Sequence, residues 1–202
     1  MAIETKILGP SLKNYVMEIE KGIDNARITL GTDLINPLPH QDGLAILLDL
    51  FVECRLFGNK VIFIGNGGSA AICSHMAIDF MNAGGMRTAD FNSGPLITCL
   101  ANDYGFENFF AKAIRGQGFK NDVVVAISSS GGSPDIIRGV EAGKNLGCKV
   151  VTLSGFSERN SLSRMGDINI YIPISNYGEV EVSHYFILHF LLNCLAEIKP
   201  AD

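Results

Sequence analysis

Tryptophan is absent from this 202-residue chain, and charge is scarce, with 18% Asp, Glu, Lys and Arg and a formal net charge of -5. Lys and Arg form no cluster or stripe, which argues against nucleic-acid binding through bulk electrostatics. No apolar run approaches the roughly 18 residues that a membrane-spanning helix needs, and the most apolar stretch, Tyr185 to Leu192, is too short. Met1 to Gly9 contains no apolar core of the secretory type. The five cysteines, Cys54, Cys73, Cys99, Cys148 and Cys194, are scattered through apolar segments, odd in number and nowhere spaced as CxxC. That pattern speaks against a disulfide framework and for buried, reduced thiols in a cytoplasmic protein. There is no repeat at a fixed period and no low-complexity segment.

What the chain does have is apolar bulk. Hydrophobic residues make up 47% of it, enough for a large core, and the length suits one domain over residues 1–202. Leu12, Tyr15, Val16, Ile19 and Ile23 recur at helical spacing, with Ser11 as a candidate cap. Leu44, Leu47, Leu48, Phe51 and Val52 form a second helical stripe after a loop holding Asn36-Pro37 and Pro39. An N-terminal helical part of about residues 1–58 is expected, followed by an α/β core of about 59–198.

In that core the period changes. Val61 to Ile64, Val123 to Ile127, Val150 to Leu153 and Ile168 to Ile172 are short apolar runs, and Leu96 to Leu100 is a weaker one. Runs of this kind, separated by helical patterns, read as strands buried on both faces of a parallel sheet. The expected fold is therefore α/β: a doubly wound, mainly parallel five-stranded sheet in an α/β/α sandwich. Ligands of such sheets bind beyond the carboxyl ends of the strands. The last helix, about Val180 to Ile198, is apolar nearly all round over Tyr185 to Leu192. It is expected to be buried on every side, in part by other subunits.

Three loops at strand ends carry chemistry. Gly65-Asn66-Gly67-Gly68-Ser69 offers close backbone approach, with Ser69 placed to cap the next helix. It is neither a Walker loop nor GxGxxG, and an ordinary tight turn is the alternative. Ser128-Ser129-Ser130-Gly131-Gly132-Ser133-Pro134 brings hydroxyls and glycines to a helix start, where free amides and hydroxyls can enclose a phosphate without Lys or Arg. Asn102-Asp103 can bind sugar hydroxyls, but such residues also make turns and caps.

Together these loops resemble the SIS (sugar isomerase) domain, a flavodoxin-like fold, and within it the phosphoheptose isomerases. The resemblance runs from about Asn59 to Leu195. It is carried by Gly65 to Ser69, Ala101-Asn102-Asp103-Tyr104-Gly105-Phe106, Ile127 to Ser133, and Val150 to Gly155. It implies a sugar-phosphate substrate held by Asn66, Gly67, Gly68, Ser69, Asn102, Asp103, Ser128, Ser129, Ser130, Ser133 and Glu181. It also implies a homotetramer with sites between subunits, in which the two opening helices pack. His75, Asp79, Glu181 and His189 match the family's metal-ligand positions, a set suited to zinc. Asp79 and His189 match its catalytic carboxylate and histidine. His184, on the same apolar helix, reads instead as a hydrogen-bonded core residue.

The family usually carries Glu at position 79 and Gln at 181, and commonly Asp and Arg where Gly178 and Glu179 stand. The activity implied is interconversion of sedoheptulose 7-phosphate and D-glycero-D-manno-heptose 7-phosphate through an enediol. That reaction would feed lipopolysaccharide or another bacterial surface polysaccharide. Two alternatives stand beside it. One is a non-catalytic SIS protein of the branch that binds the bacterial replication initiator, whose members tend to lack the carboxylate and the last histidine that this chain keeps. The other is an isomerase of another sugar phosphate.

Overall fold

The computed structural model of the protein describes residues 11–33 and 35–198. The first residues, inspected above for a leader, lie outside the described residues. Described in chain order, the elements are α1 (Leu12–Asp24), β1 (Arg27–Leu30), α2 (His40–Leu56), β2 (Lys60–Gly65), α3 (Gly68–Asn82), β3 (Arg87–Asp90) and α4 (Gly94–Tyr104). Then come α5 (Phe109–Gln117), β4 (Val123–Ser128), α6 (Pro134–Leu146), β5 (Lys149–Ser154), β6 (Ile168–Tyr171) and α7 (Tyr177–Glu197).

The six strands form one sheet in the order β1-β6-β5-β4-β2-β3. All neighbours pair parallel except β1, which runs antiparallel to β6 at the edge. The parallel part has the flavodoxin-like order. The chain winds outward from β2 through β3 on one side, and through β4, β5 and β6 on the other. The direction reverses between β2 and β4, and a crevice opens there at the carboxyl ends of the strands.

Alternation along the strands divides the core. Val61, Phe63, Val123, Val125 and Ile127 face the layer of α2, α3 and α7. Ile62, Ile64, Val124 and Ala126 face the layer of α5 and α6. Every residue of β2 and β4 is buried, which is why these strands read as continuous apolar runs rather than as alternating ones. Phe63 meets Phe80 of α3 edge to face with ring centres 5.4 Å apart, and Phe80 meets Phe51 of α2 at 5.1 Å. These rings lock α3 onto the sheet, and α3 carries much of the site.

The N-terminal stripes form as expected. Ser11 caps α1 by accepting from the Asn14 amide at 3.3 Å, and the second stripe lies in α2. Three expectations about elements are corrected. Leu96 to Leu100 belongs to helix α4, not to a strand. Ser93 and Pro95 start that helix and Gly105 ends it, and these stop-and-start signals outweigh a short apolar run whose period is ambiguous. The sheet has six strands among the described residues rather than five, because β1 and β3 join it. Arg87-Thr88-Ala89-Asp90 is an edge strand too short and too polar to stand out. Arg27-Ile28-Thr29-Leu30 is likewise brief, so the opening part is not wholly helical. In the single chain α7 leaves Val182, Phe186 and Phe190 exposed on its outer side, the part whose burial was expected from other subunits. No described helix is long and apolar enough to cross a membrane.

Candidate active site

The switch point between β2 and β4 is where the two glycine-containing loops meet. Gly65 is buried at the end of β2, where a β-carbon would stand 2.9 Å from the Ser69 backbone. The chain then turns through Gly67 at φ 55° and ψ -122° into α3. Few residues other than glycine adopt that conformation. Across the crevice, β4 ends in Ser128 and the serine loop turns through Gly131, at φ 63°. Ser133 and Pro134 then open α6, with the proline in its first turn.

Buried polar contacts fix both loops. The Asn66 side-chain amide donates to the buried Asp135 carboxylate in the first turn of α6 at 2.8 Å. Asn160 fills the space against Gly131 where a β-carbon would otherwise sit. It donates to Ser154 Oγ at 3.1 Å and to the Ser157 carbonyl at 2.7 Å, and accepts from the Ser163 amide at 2.9 Å.

The result is a cleft of about 250 Å³ lined by Asn66, Gly67, Gly68, Ser69, Ser128, Ser129, Ser130, Ser133, Tyr177 and Glu181, with Ile127 at its floor. No Lys, Arg or His contributes to this lining. An anion here would be met by hydroxyls and by the amides at the starts of α3 and α6. Ser128 and Ser133 hydroxyls lie 3.4 Å apart, and the buried Ser129 hydroxyl has no hydrogen-bond partner among the described residues. A buried hydroxyl without a partner is costly, and a phosphate oxygen in the cleft could supply one.

About 10 Å along α3, seven residues at 1.5 Å each, a second cluster begins. His75 Nε2 is 3.0 Å from Asp79 Oδ2, and His189 Nδ1 of α7 is 4.0 Å from the same oxygen. One donor atom from each of the three lies within 4.8 Å of the others. Two imidazoles and a carboxylate at this spacing fit a zinc ion with an open coordination position. Tyr185 closes the cluster, its ring 4.4 Å from that of His189 and 5.3 Å from that of His75, centre to centre. Burial, and then the Asp79 charge, hold its phenol above the ordinary value.

With this geometry established, the comparisons with known proteins are direct. The SIS domain model matches residues 38–155, more than half of the chain. The chain belongs to the SIS domain family. A phosphoheptose isomerase from Colwellia psychrerythraea is 31% identical over 79% of this chain and 83% of its own. The solved structure of a phosphoheptose isomerase from Francisella tularensis superposes with a TM-score of 0.78 at 26% identity, covering 92% of this chain and 94% of its own. That from Neisseria gonorrhoeae has a TM-score of 0.76 at 22% identity, covering 92% and 95%, and adds support for the fold. The resemblance seen in the loops is therefore real.

Within this SIS chain, the residues singled out from sequence fall into two groups and a remainder. Asn66, Gly67, Gly68, Ser69, Ser128, Ser129, Ser130, Ser133 and Glu181 share the cleft. His75, Asp79 and His189 share the second cluster. Glu181 is not with them: its carboxylate packs on Gly68, in the volume that a β-carbon there would need. Ser69 does not cap α3, since the cap position is Gly67 and Ser69 lies buried within the first turn. Asn102 and Asp103 sit near the end of helix α4, not at a strand end. They are exposed, with Asn102 donating to Asp103 at 3.0 Å, and they do not line the cleft.

His184 is the core histidine expected: fully buried, with Nε2 3.2 Å from the Ser154 carbonyl. Of the cysteines, Cys54, Cys73 and Cys148 are buried, whereas Cys99 is exposed on α4 because that segment is a helix and not a central strand.

Sequence reasoning missed Tyr177 and Tyr185. The signal was present, because Tyr177, Glu181, Tyr185 and His189 recur every four residues and so form one stripe along α7. That stripe runs from the cleft to the histidine cluster. Also missed was the bracing of α3 by β3: Asn92 donates to the Ala70 carbonyl at 2.9 Å and to Ser74 Oγ at 2.8 Å, and Ser74 donates to Asp90.

Proposed function

We propose that this protein is an aldose–ketose isomerase acting on a seven-carbon sugar phosphate, sedoheptulose 7-phosphate and D-glycero-D-manno-heptose 7-phosphate. The observation that carries the reading is the pairing of a hydroxyl-rich anion cleft, lined by no cationic side chain among the described residues, with a carboxylate–imidazole cluster one stripe away along α3 and α7. The relatives named above as phosphoheptose isomerases support the substrate class.

The reaction moves hydrogen between adjacent carbons with no net oxidation. A base takes the proton from C1 of the ketose while the C2 oxygen gains one, giving the enediol. The O1 proton then leaves and C2 is protonated, giving the aldose. Asp79 and His189 would be the groups for this exchange, a carboxylate and an imidazole whose Oδ2 and Nδ1 lie 4.0 Å apart. The serine loop and the α3 amides would hold the phosphate and fix the chain's register against that pair. His75, Asp79 and His189 would hold zinc, which when bound supplies a Lewis acid at the sugar oxygens.

Glu181, which would have been the fourth ligand, is positioned to contact the sugar phosphate near Gly68. A homotetramer is supported by the outward apolar row of Val182, Phe186 and Phe190 on α7, with Leu12 and Val16 exposed on α1, since such rows are covered in assemblies. The free cysteines suit a reducing compartment such as the cytoplasm.

The deciding experiment is turnover of sedoheptulose 7-phosphate by the metal-stripped protein, with and without added zinc. Aldose formation that depends on zinc is the expected result. No product in either condition, with the sugar phosphate still binding, would overturn the isomerase reading in favour of a binding role.

A further inference from the structure

Phe156 follows Gly155 at the end of the β5 region, and its backbone is left-handed, at φ 58°. A bulky side chain rarely adopts that conformation, and residues held there cluster where the strain serves a site. Here the conformation is fixed from several sides. The Phe156 amide donates to the Ile174 carbonyl at 2.8 Å, and its carbonyl accepts from the Tyr171 hydroxyl at 3.1 Å. The adjacent glycine cannot relieve it, because Gly155 is itself packed tightly against Val180.

What this backbone accomplishes is to place the Phe156 ring against Tyr177, with centres 4.7 Å apart and planes tilted by 54°. Tyr177 is the first residue of α7. Its neighbour Asn176 caps the helix by accepting from the Gly178 amide at 3.0 Å, and Gly178 has the Tyr15 hydroxyl of α1 close against it. Phe156 thus braces the Tyr177 ring, while the cap and Tyr15 hold the helix start beside it. Yet Tyr177 remains 59% exposed, and it is the one aromatic ring lining the cleft.

We propose that Tyr177, braced by the strained Phe156, is a specificity-determining wall of the cleft, recognising the carbon chain of the sugar and not its phosphate. The inference rests on the reading of the serine loop as a phosphate site. The cleft is otherwise hydroxyls, amides and glycines, which can donate to phosphate and sugar oxygens, one carboxylate, which can accept from sugar hydroxyls, and Ile127. Tyr177 adds an apolar face on which C–H groups of a sugar can lie. A rigid ring loses little conformational freedom on binding, which is the advantage of bracing it beforehand.

Separate calorimetric titrations with inorganic phosphate and with sedoheptulose 7-phosphate test this. In Tyr177→Ala, affinity for the sugar phosphate should fall by about tenfold, as expected for loss of one stacked face, with inorganic phosphate unchanged. Tyr177→Phe should keep nearly all the affinity, because the face and not the hydroxyl is used. Phe156→Gly accepts the left-handed backbone without strain and so should fold, but it should lose sugar-phosphate affinity in the same direction. Sugar-phosphate affinity unchanged in Tyr177→Ala, or equal weakening of both ligands, would overturn the proposal, as would a Tyr177→Phe defect as large as that of alanine. A wild-type protein that binds neither ligand would instead overturn the phosphate-site reading, and this inference with it.

Discussion

Glu181 and Gly68 are in direct contact: the carboxylate of one occupies the space that a side chain on the other would require. The pair joins the start of α3 to the second turn of α7 at the rim of the phosphate cleft. Gly68→Ala must therefore displace Glu181. The expected outcome is a several-fold loss of sugar-phosphate affinity, because the added methyl displaces the end of a flexible side chain at the cleft and not a group of the reacting cluster. Gly68→Ala combined with Glu181→Ala removes the overlap, and should recover sugar-phosphate affinity relative to Gly68→Ala alone. Equal affinities for the single variant and wild type in a calorimetric titration would show that the contact does not set the shape of the cleft.

His189 reaches the same Asp79 oxygen that His75 contacts. If it exchanges the substrate proton, His189→Asn should reduce turnover by a factor of about 10² to 10⁴, typical of losing a general acid or base. Affinity for sugar phosphate should change little, because the serine loop is some distance along α3 and untouched. Steady-state rates paired with equilibrium binding separate the two effects, and a variant with normal turnover would remove His189 from the mechanism.

Much of this site was legible because burial on both faces makes central strands conspicuous. Val61 to Ile64 and Val123 to Ile127 could be read as strands, and the loops that follow them had to meet at the sheet's open edge. Arg87 to Asp90 was illegible for the converse reason, since an edge strand need not be apolar. Leu96 to Leu100 misled because a short, mostly apolar run fits a strand or one face of a helix equally well, and only Ser93, Pro95 and Gly105 decide between them. The grouping of His75, Asp79 and His189 could be expected from the resemblance. The separation of Glu181 from them could not, because it depends on Gly68 leaving room for a carboxylate beside the cleft. Tyr177 and Tyr185 share a four-residue spacing with Glu181 and His189, but only the packing of α7 against α3 turns that stripe toward the cleft and the histidine cluster.

The buried His184 makes stability depend on pH. Burial pushes its imidazole down from 6.5 to about 4. The unfolded chain takes up this proton as pH falls through 6.5, while the folded chain does not until about 4. The contribution is therefore fully present above pH 6.5 and is lost progressively between there and pH 4, by an amount of about 3 kcal/mol. His184→Gln cannot titrate. Urea unfolding at a series of pH values should show a shallower decline for that variant than for wild type across this window. Parallel declines would mean that other groups carry the acid sensitivity.

Asn160 braces the serine loop from outside it. Asn160 packs against Gly131, which turns the loop. Its amide reaches Ser154 and Ser157, and its oxygen receives the Ser163 amide. Asn160→Ala would leave the buried Ser154 hydroxyl and Ser163 amide without this partner, and should lower unfolding stability by about 1–3 kcal/mol. It would also leave a gap beside Gly131, so the loop should no longer hold its hydroxyls converged at the start of α6. Inorganic phosphate affinity should then fall along with stability. If Asn160→Ala unfolds more readily but binds phosphate as wild type does when both are fully folded, the loop holds its shape through its own glycines, and Asn160 serves only the core.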